Sequence, residues 1–167
     1  RPQWVGKPLA VKNEGRDILL VVDISNSMSE PDFEYKGKMY ERLTAVKNVV
    51  DNFMDKRAED KIGLVLFGTR AYLQAPLTYD KQSLKEILWN MEAGMAGNST
   101  SIGDAVGLAL KTLSLSDGKP ENKVIILLTD GENNDGSMPL PKAIAMAKEE
   151  KIKIYTIGVG SDTESFF

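Results

Sequence analysis

Apolar and polar positions in this chain fall into blocks of two kinds. Continuous apolar runs at 18–22 (Ile-Leu-Leu-Val-Val) and 124–128, and the largely apolar stretches 61–67 and 152–157, are bounded by polar or glycine residues. Such runs suit strands buried on both faces of a parallel sheet. A shorter run at 71–75 stops just before Pro76 and lies only three residues after 67. That spacing predicts a hairpin, and so an antiparallel edge strand. The second kind of block has helical spacing. Leu43, Val46, Val50, Phe53 and Met54 share one face of a predicted helix over 40–56. Leu84, Ile87, Leu88 and Met91 do the same over 80–91, with Asp80 as N-cap. A third helix over 102–113 is apolar almost all round, which predicts deep burial; Ser101 and Asp104 fit a capping-box variant at its start. Leu140, Ala143, Ile144 and Ala147 mark a fourth, with Pro139 and Pro141 where proline is tolerated. The order β-α-β-β-α-α-β-α-β predicts an α/β fold: a doubly wound, mostly parallel sheet with one antiparallel edge strand. In a sheet of order 3-2-1-4-5 the first and fourth strands are neighbours at the point where winding reverses.

Those two strands end in oxygen-rich loops. The first runs into Asp23-Ile24-Ser25-Asn26-Ser27, the fourth into Thr129-Asp130-Gly131. Alternate spacing lets Asp23, Ser25 and Ser27 converge while Ile24 turns away. Thr100, at the entry to the buried helix, offers a hydroxyl from a third loop. Alone, Asp-x-Ser-x-Ser also reads as a solvated turn, since these residues are common in turns. Together, carboxylates and hydroxyls outside the carboxyl ends of parallel strands suit a hard divalent cation. Residues 29–39, with Pro31 and Gly37, read as an insertion-like loop at the rim of this site.

Composition narrows the chemistry. The chain has 167 residues, 42% hydrophobic and 27% charged, as expected of one soluble globular domain. With no His and no Cys there is no Ser-His-Asp triad, no thiolate and no zinc site of the usual type; a metal here must be held by oxygen. A net charge of -3 with scattered basic residues argues against a nucleic-acid face. No run approaches the ~18 apolar residues of a membrane span. Residues 1–16, with Pro2, Gly6, Pro8 and Gly15, read as an extended lead-in whose Val5, Leu9 and Val11 lie against the body, and 17–167 as the domain.

The three segments, in this order, resemble the metal-ion-dependent adhesion site (MIDAS) of von Willebrand factor type A domains. That pattern is Asp-x-Ser-x-Ser, a distant Thr, and a distant Asp in Thr-Asp-Gly. The resemblance implies a Rossmann-like fold in which Ser25, Ser27 and Thr100 lie closest to one magnesium ion (or manganese or calcium), with Asp23 and Asp130 reaching it directly or through water. It implies a protein partner that offers an Asp or Glu to the metal. Asn26 stands where many relatives have Gly; Asn tolerates left-handed backbone, so the turn is expected to survive. Arg16-Asp17-Ile18, 61–65, Pro76-Leu77-Thr78, 101–105 and 155–160 look like the bacterial aerotolerance (Bat) type, and Arg1-Pro2-Gln3 is similar to the segment after a membrane helix there. This implies a soluble, periplasmic domain of a protein anchored in the bacterial inner membrane. Family members continue with a further helix, often a strand, after Gly158-Val159-Gly160; only 161–167 follow here, which implies a fold without those elements.

Other chemistries fit less well. A magnesium-dependent phosphohydrolase of the haloacid-dehalogenase type also begins with a strand ending in Asp, but needs a second Asp where Ser25 stands. Gly158-Val159-Gly160 lacks the third glycine of a dinucleotide fingerprint and follows the last strand. In 130–141 a calcium loop would need Gly sixth and Glu twelfth, where Pro141 stands. Asn98-Ser99-Thr100 matches a glycosylation acceptor, which carries no meaning in a bacterial protein.

Overall fold

A computed structural model describes residues 15–131 and 138–159. The element order is β1 (Asp17–Asp23), β2 (Phe33–Tyr35), β3 (Lys38–Tyr40), α1 (Arg42–Asp55), β4 (Lys61–Phe67), β5 (Ala71–Thr78), α2 (Lys81–Trp89), α3 (Ile102–Ser114), β6 (Lys123–Thr129), α4 (Leu140–Glu150) and β7 (Lys153–Gly158). Five strands form one sheet in the order β5-β4-β1-β6-β7. β1 pairs in parallel with β4 and β6, β6 with β7, and β5 runs antiparallel to β4. This is the predicted doubly wound fold.

β1 lies at the centre, and every one of its residues is buried. Its side chains alternate between two cores, as the strand period of two demands. Ile18, Leu20 and Val22 pack with Leu43, Val46, Val50 and Met54 of α1 and Leu84 and Leu88 of α2. Leu19 and Val21 face Ile102, Val106, Leu110 and Leu113 of α3 and Ala143 and Ala147 of α4. Each fully buried Leu or Val of this kind contributes roughly 1.5–3 kcal/mol of transfer free energy. Both faces of the strand are therefore covered, and its polar end, Asp23, turns to the hydroxyls of Ser25 and Thr129.

Four details depart from the sequence reading. The rim loop contains a small hairpin: Phe33 pairs with Tyr40 and Tyr35 with Lys38. Its two-residue turn places Lys36 at φ 50° and Gly37 at φ 81°, the positive pair that a type I′ turn requires. Helix α1 consequently starts at Arg42, and Tyr40 belongs to β3. β5 does not stop before Pro76 but continues to Thr78; the register shifts opposite Leu64, and proline is accommodated at this irregular edge. Ile144, read as inward-facing, is exposed, and Met91 is buried beyond the end of α2. The proposed packing of Val5, Leu9 and Val11 lies outside the described residues. None of the helices among the described residues is long and apolar enough to cross a membrane.

Candidate metal centre

Four backbone stitches assemble the site at the carboxyl edge of the sheet. The Ile24 N–H donates to Phe67 O (2.8 Å), tying the loop after β1 to the end of β4. The Gly94 N–H donates to Ile24 O (2.7 Å), and the Thr69 N–H to Ala96 O (2.7 Å). The Ser101 N–H and hydroxyl both donate to Gly68 O, at 2.8 and 2.7 Å. The loop carrying Thr100 is thereby laid across the ends of β1 and β4. Gly68 is needed for this approach: a Cβ there would lie 2.7 Å from Ala96 O.

Asp23 is fully buried. Its Oδ1 accepts from the Ser25 N–H (2.8 Å) and hydroxyl (2.6 Å), and its Oδ2 from the Thr129 hydroxyl (2.7 Å). Ser25 Oγ lies 3.2 Å from Ser27 Oγ, and Ser27 donates to Asp130 Oδ1 and Oδ2 at 3.1 and 2.8 Å. Thr100 is buried, and a Cβ built on Gly131 would stand 3.5 Å from its Oγ1. The five candidate residues are thus brought together: Asp23, Ser25, Ser27 and Asp130 along one line of polar contacts, Thr100 against the glycine that follows Asp130. Ser27 is at the exposed mouth, while Asp23, Ser25 and Thr100 form the floor.

The electrostatics favour a cation. Burial pushes the Asp23 carboxyl above its ordinary range; bonds from Ser25 and Thr129 pull it back, and the charge of Asp130 pushes it up again. Two carboxylates share a poorly solvated pocket, and hydroxyl oxygens fill the space between them. Among the described residues there is no group of three or more acidic side chains with metal-binding arrangement. The donor set is therefore hydroxyl-rich, which suits a hard ion that keeps exchangeable coordination positions.

Two sequence expectations change. Ser101 makes no side-chain cap bond to α3; its hydroxyl goes to Gly68 O, and Asp104 Oδ1 accepts from the Met138 N–H (2.6 Å). Asp104 therefore pins the chain entering α4 instead of closing a capping box. Asn26 occupies a short 3-10 turn over Asn26–Ser29 and has no positive φ, so the left-handed tolerance of Asn is not called upon.

One participant went unread. Arg42 Nη1 bonds Asp130 Oδ2 at 2.7 Å, while its Nε and Nη2 grip Asp32. A basic residue at the first turn of a helix opposes the helix dipole. That oddity was the available signal; its long-range partner was not.

The von Willebrand factor type A domain model matches residues 17–166. The chain belongs to this family. As a von Willebrand factor type A domain it is 33% identical over 163 residues to an uncharacterized protein of Borreliella burgdorferi, covering 98% of this chain and 46% of that protein. Among solved structures it resembles BatB of Bacteroides thetaiotaomicron, with TM-score 0.74 and 30% identity over 86% of this chain and 66% of that one. A membrane-spanning protein of Vibrio fischeri gives TM-score 0.60 and 46% identity, over 87% of this chain and 70% of that one. The chain spans less than half the length of the curated relatives it matches. Domains of this family, including those with the adhesion-site motif, mediate metal-dependent protein interactions, and most homologues are interaction modules rather than enzymes.

Proposed function

We propose that Asp23, Ser25, Ser27, Thr100 and Asp130 hold one divalent cation, magnesium or else manganese or calcium, and that the cation takes a carboxylate from an Asp or Glu of a protein partner. The observation that carries this reading is the convergence of three hydroxyls and two carboxylates from three loops, in a sequence with no His or Cys. When bound, the cation supplies an electrophilic position for an incoming carboxylate. The chain's own residues supply the rest: Asp23 orients Ser25, Ser27 and Asp130 orient each other, and the buried floor excludes water from behind.

A phosphohydrolase reading is disfavoured by Asp23 itself. A carboxylate nucleophile must face its substrate, whereas Asp23 is fully buried and both its oxygens accept from Ser25 and Thr129. The described groups around the site can hold an acid, and the sequence has no His or Cys to act as a general base on one. The Bat-type segments and the membrane-spanning relative support a setting in the bacterial cell envelope linked to aerotolerance. There residues 1–16 would be the lead-in from an inner-membrane anchor and the domain would face the periplasm.

The test has two arms. Calorimetric titration with magnesium should show one site in the parent chain and none in Asp23→Ala. Retention of partners from a bacterial envelope extract should then be lost in chelator and lost in Thr100→Ala. A partner held equally well in chelator and by Asp130→Ala would sink the proposal.

A further inference from the structure

Arg42 is placed between two carboxylates and bonds both. Its guanidinium reaches Asp130 through Nη1 (2.7 Å) and Asp32 through Nε (2.9 and 3.1 Å) and Nη2 (2.5 Å). The Asp130 side chain is only 3% exposed, against 46% for Asp32. Asp32 stands immediately before β2, and the Arg42 N–H donates to Glu30 O (3.0 Å). The fork therefore ties the base of the β2–β3 hairpin to a carboxylate of the metal site. Arg42 also begins a helix, where its charge is unfavourable unless anions answer it.

Resting on the metal reading, we propose that Arg42 is a built-in counter-ion that competes with the divalent cation for Asp130, and that Asp32 sets how strongly it competes. Without metal, the guanidinium neutralises a nearly buried carboxylate that also accepts from the Ser27 hydroxyl. A divalent ion entering between Ser27 and Asp130 meets that positive charge at close range. Binding then favours the arrangement in which Arg42 leaves Asp130 and keeps Asp32. Metal occupancy is coupled through this one side chain to the root of the hairpin, whose Phe33, Tyr35 and Tyr40 line the groove that also touches Tyr155 and Ile157. The fork's length and planarity matter here: a guanidinium presents donors on separate nitrogens, so Nη1 can release Asp130 while Nε and Nη2 keep Asp32.

The two partners of Arg42 give opposite signs, and the experiment uses that. Magnesium affinity is measured by calorimetry at fixed ionic strength for the parent chain, Arg42→Gln and Asp32→Asn, with circular dichroism confirming the fold of each. Arg42→Gln should bind about tenfold more tightly, the effect of removing a unit charge within roughly 5 Å of a divalent ion even at the dielectric of water. Asp32→Asn should bind severalfold more weakly, because the guanidinium is then free to stay on Asp130. Equal affinities, or weaker binding by Arg42→Gln, would overturn the inference while leaving the metal reading intact. Absence of magnesium binding by all three proteins would overturn both.

Discussion

Replacing Gly103 by Ala tests how the site's third loop is held. Gly103 lies in the first turn of α3, and an added Cβ would stand 1.8 Å from Met138 O, 2.9 Å from its carbonyl carbon and 3.1 Å from Leu140 N. Ordinary van der Waals contact begins near 3.4 Å, so the main chain at Met138 must withdraw by roughly 1.5 Å or α3 must tilt. Overpacking of this kind costs about 1–3 kcal/mol. The same movement strains the bond from the Met138 N–H to Asp104, a charged acceptor whose bond contributes about 1.5–3 kcal/mol. Helix propensity returns at most ~1 kcal/mol, leaving a net loss of about 3 kcal/mol. For a chain of this size that is a melting temperature lower by roughly 6–12 °C. Gly107 supplies the control. A Cβ there meets only Met138 Sδ and Cε, at 2.9 and 3.0 Å, the far end of a flexible side chain. Gly107→Ala should stay within ~1 kcal/mol of the parent. Urea unfolding in chelator measures both, with slope checked for constancy. A Gly103→Ala chain as stable as the parent, or a Gly107→Ala chain equally damaged, would refute the reasoning.

Asp23→Asn should stabilise the metal-free domain at neutral pH, since the raised carboxyl favours folding below its unfolded value near 3.8 and loses that contribution as pH rises through the folded value. The advantage over the parent, read from denaturant midpoints, should shrink as pH falls towards 4, and the reverse order would contradict it. Chelating metal should lower the melting temperature only modestly and leave the helical circular dichroism, because both cores are built without the site. Collapse of the helical signal in chelator would count against that. Ser101→Ala should cost about 1 kcal/mol, because Gly68 O keeps the Ser101 N–H when the hydroxyl is lost; equilibrium unfolding checks it, and a loss above ~3 kcal/mol would mean the hydroxyl bears more than this bond.

What was legible follows from range. β1, β4 and β6 were readable because a strand buried on both faces must be apolar throughout, and the helices because one-sided burial leaves a 3.6-residue stripe. The floor of the site followed from polar residues placed directly after such strands. The β2–β3 hairpin escaped because three-residue strands carry too little pattern, although Lys36-Gly37 offered a turn signal. β5 was cut short because proline usually ends a strand, and a register shift beside Leu64 accommodates it here. Asp104 was read locally as a cap, whereas its partner Met138 lies 34 residues on. Arg42 meets Asp130 across 88 residues, a pairing that no local periodicity encodes.

The central position of β1 also sets a schedule for synthesis. Its first neighbour, β4, follows within the next 44 positions (Asp17 opposite Lys61), but its second, β6, begins only at Lys123. At roughly 5–20 residues per second, the ribosome needs about 5–20 s between delivering Asp23 and delivering Thr129, 106 residues later. Throughout that interval one edge of this fully buried, central strand stays unpaired, an invitation to strand addition from another nascent chain. Acidic residues at its two ends, Asp17 at the start and Asp23 at the exit, are the charges within the strand that discourage such pairing before β6 arrives.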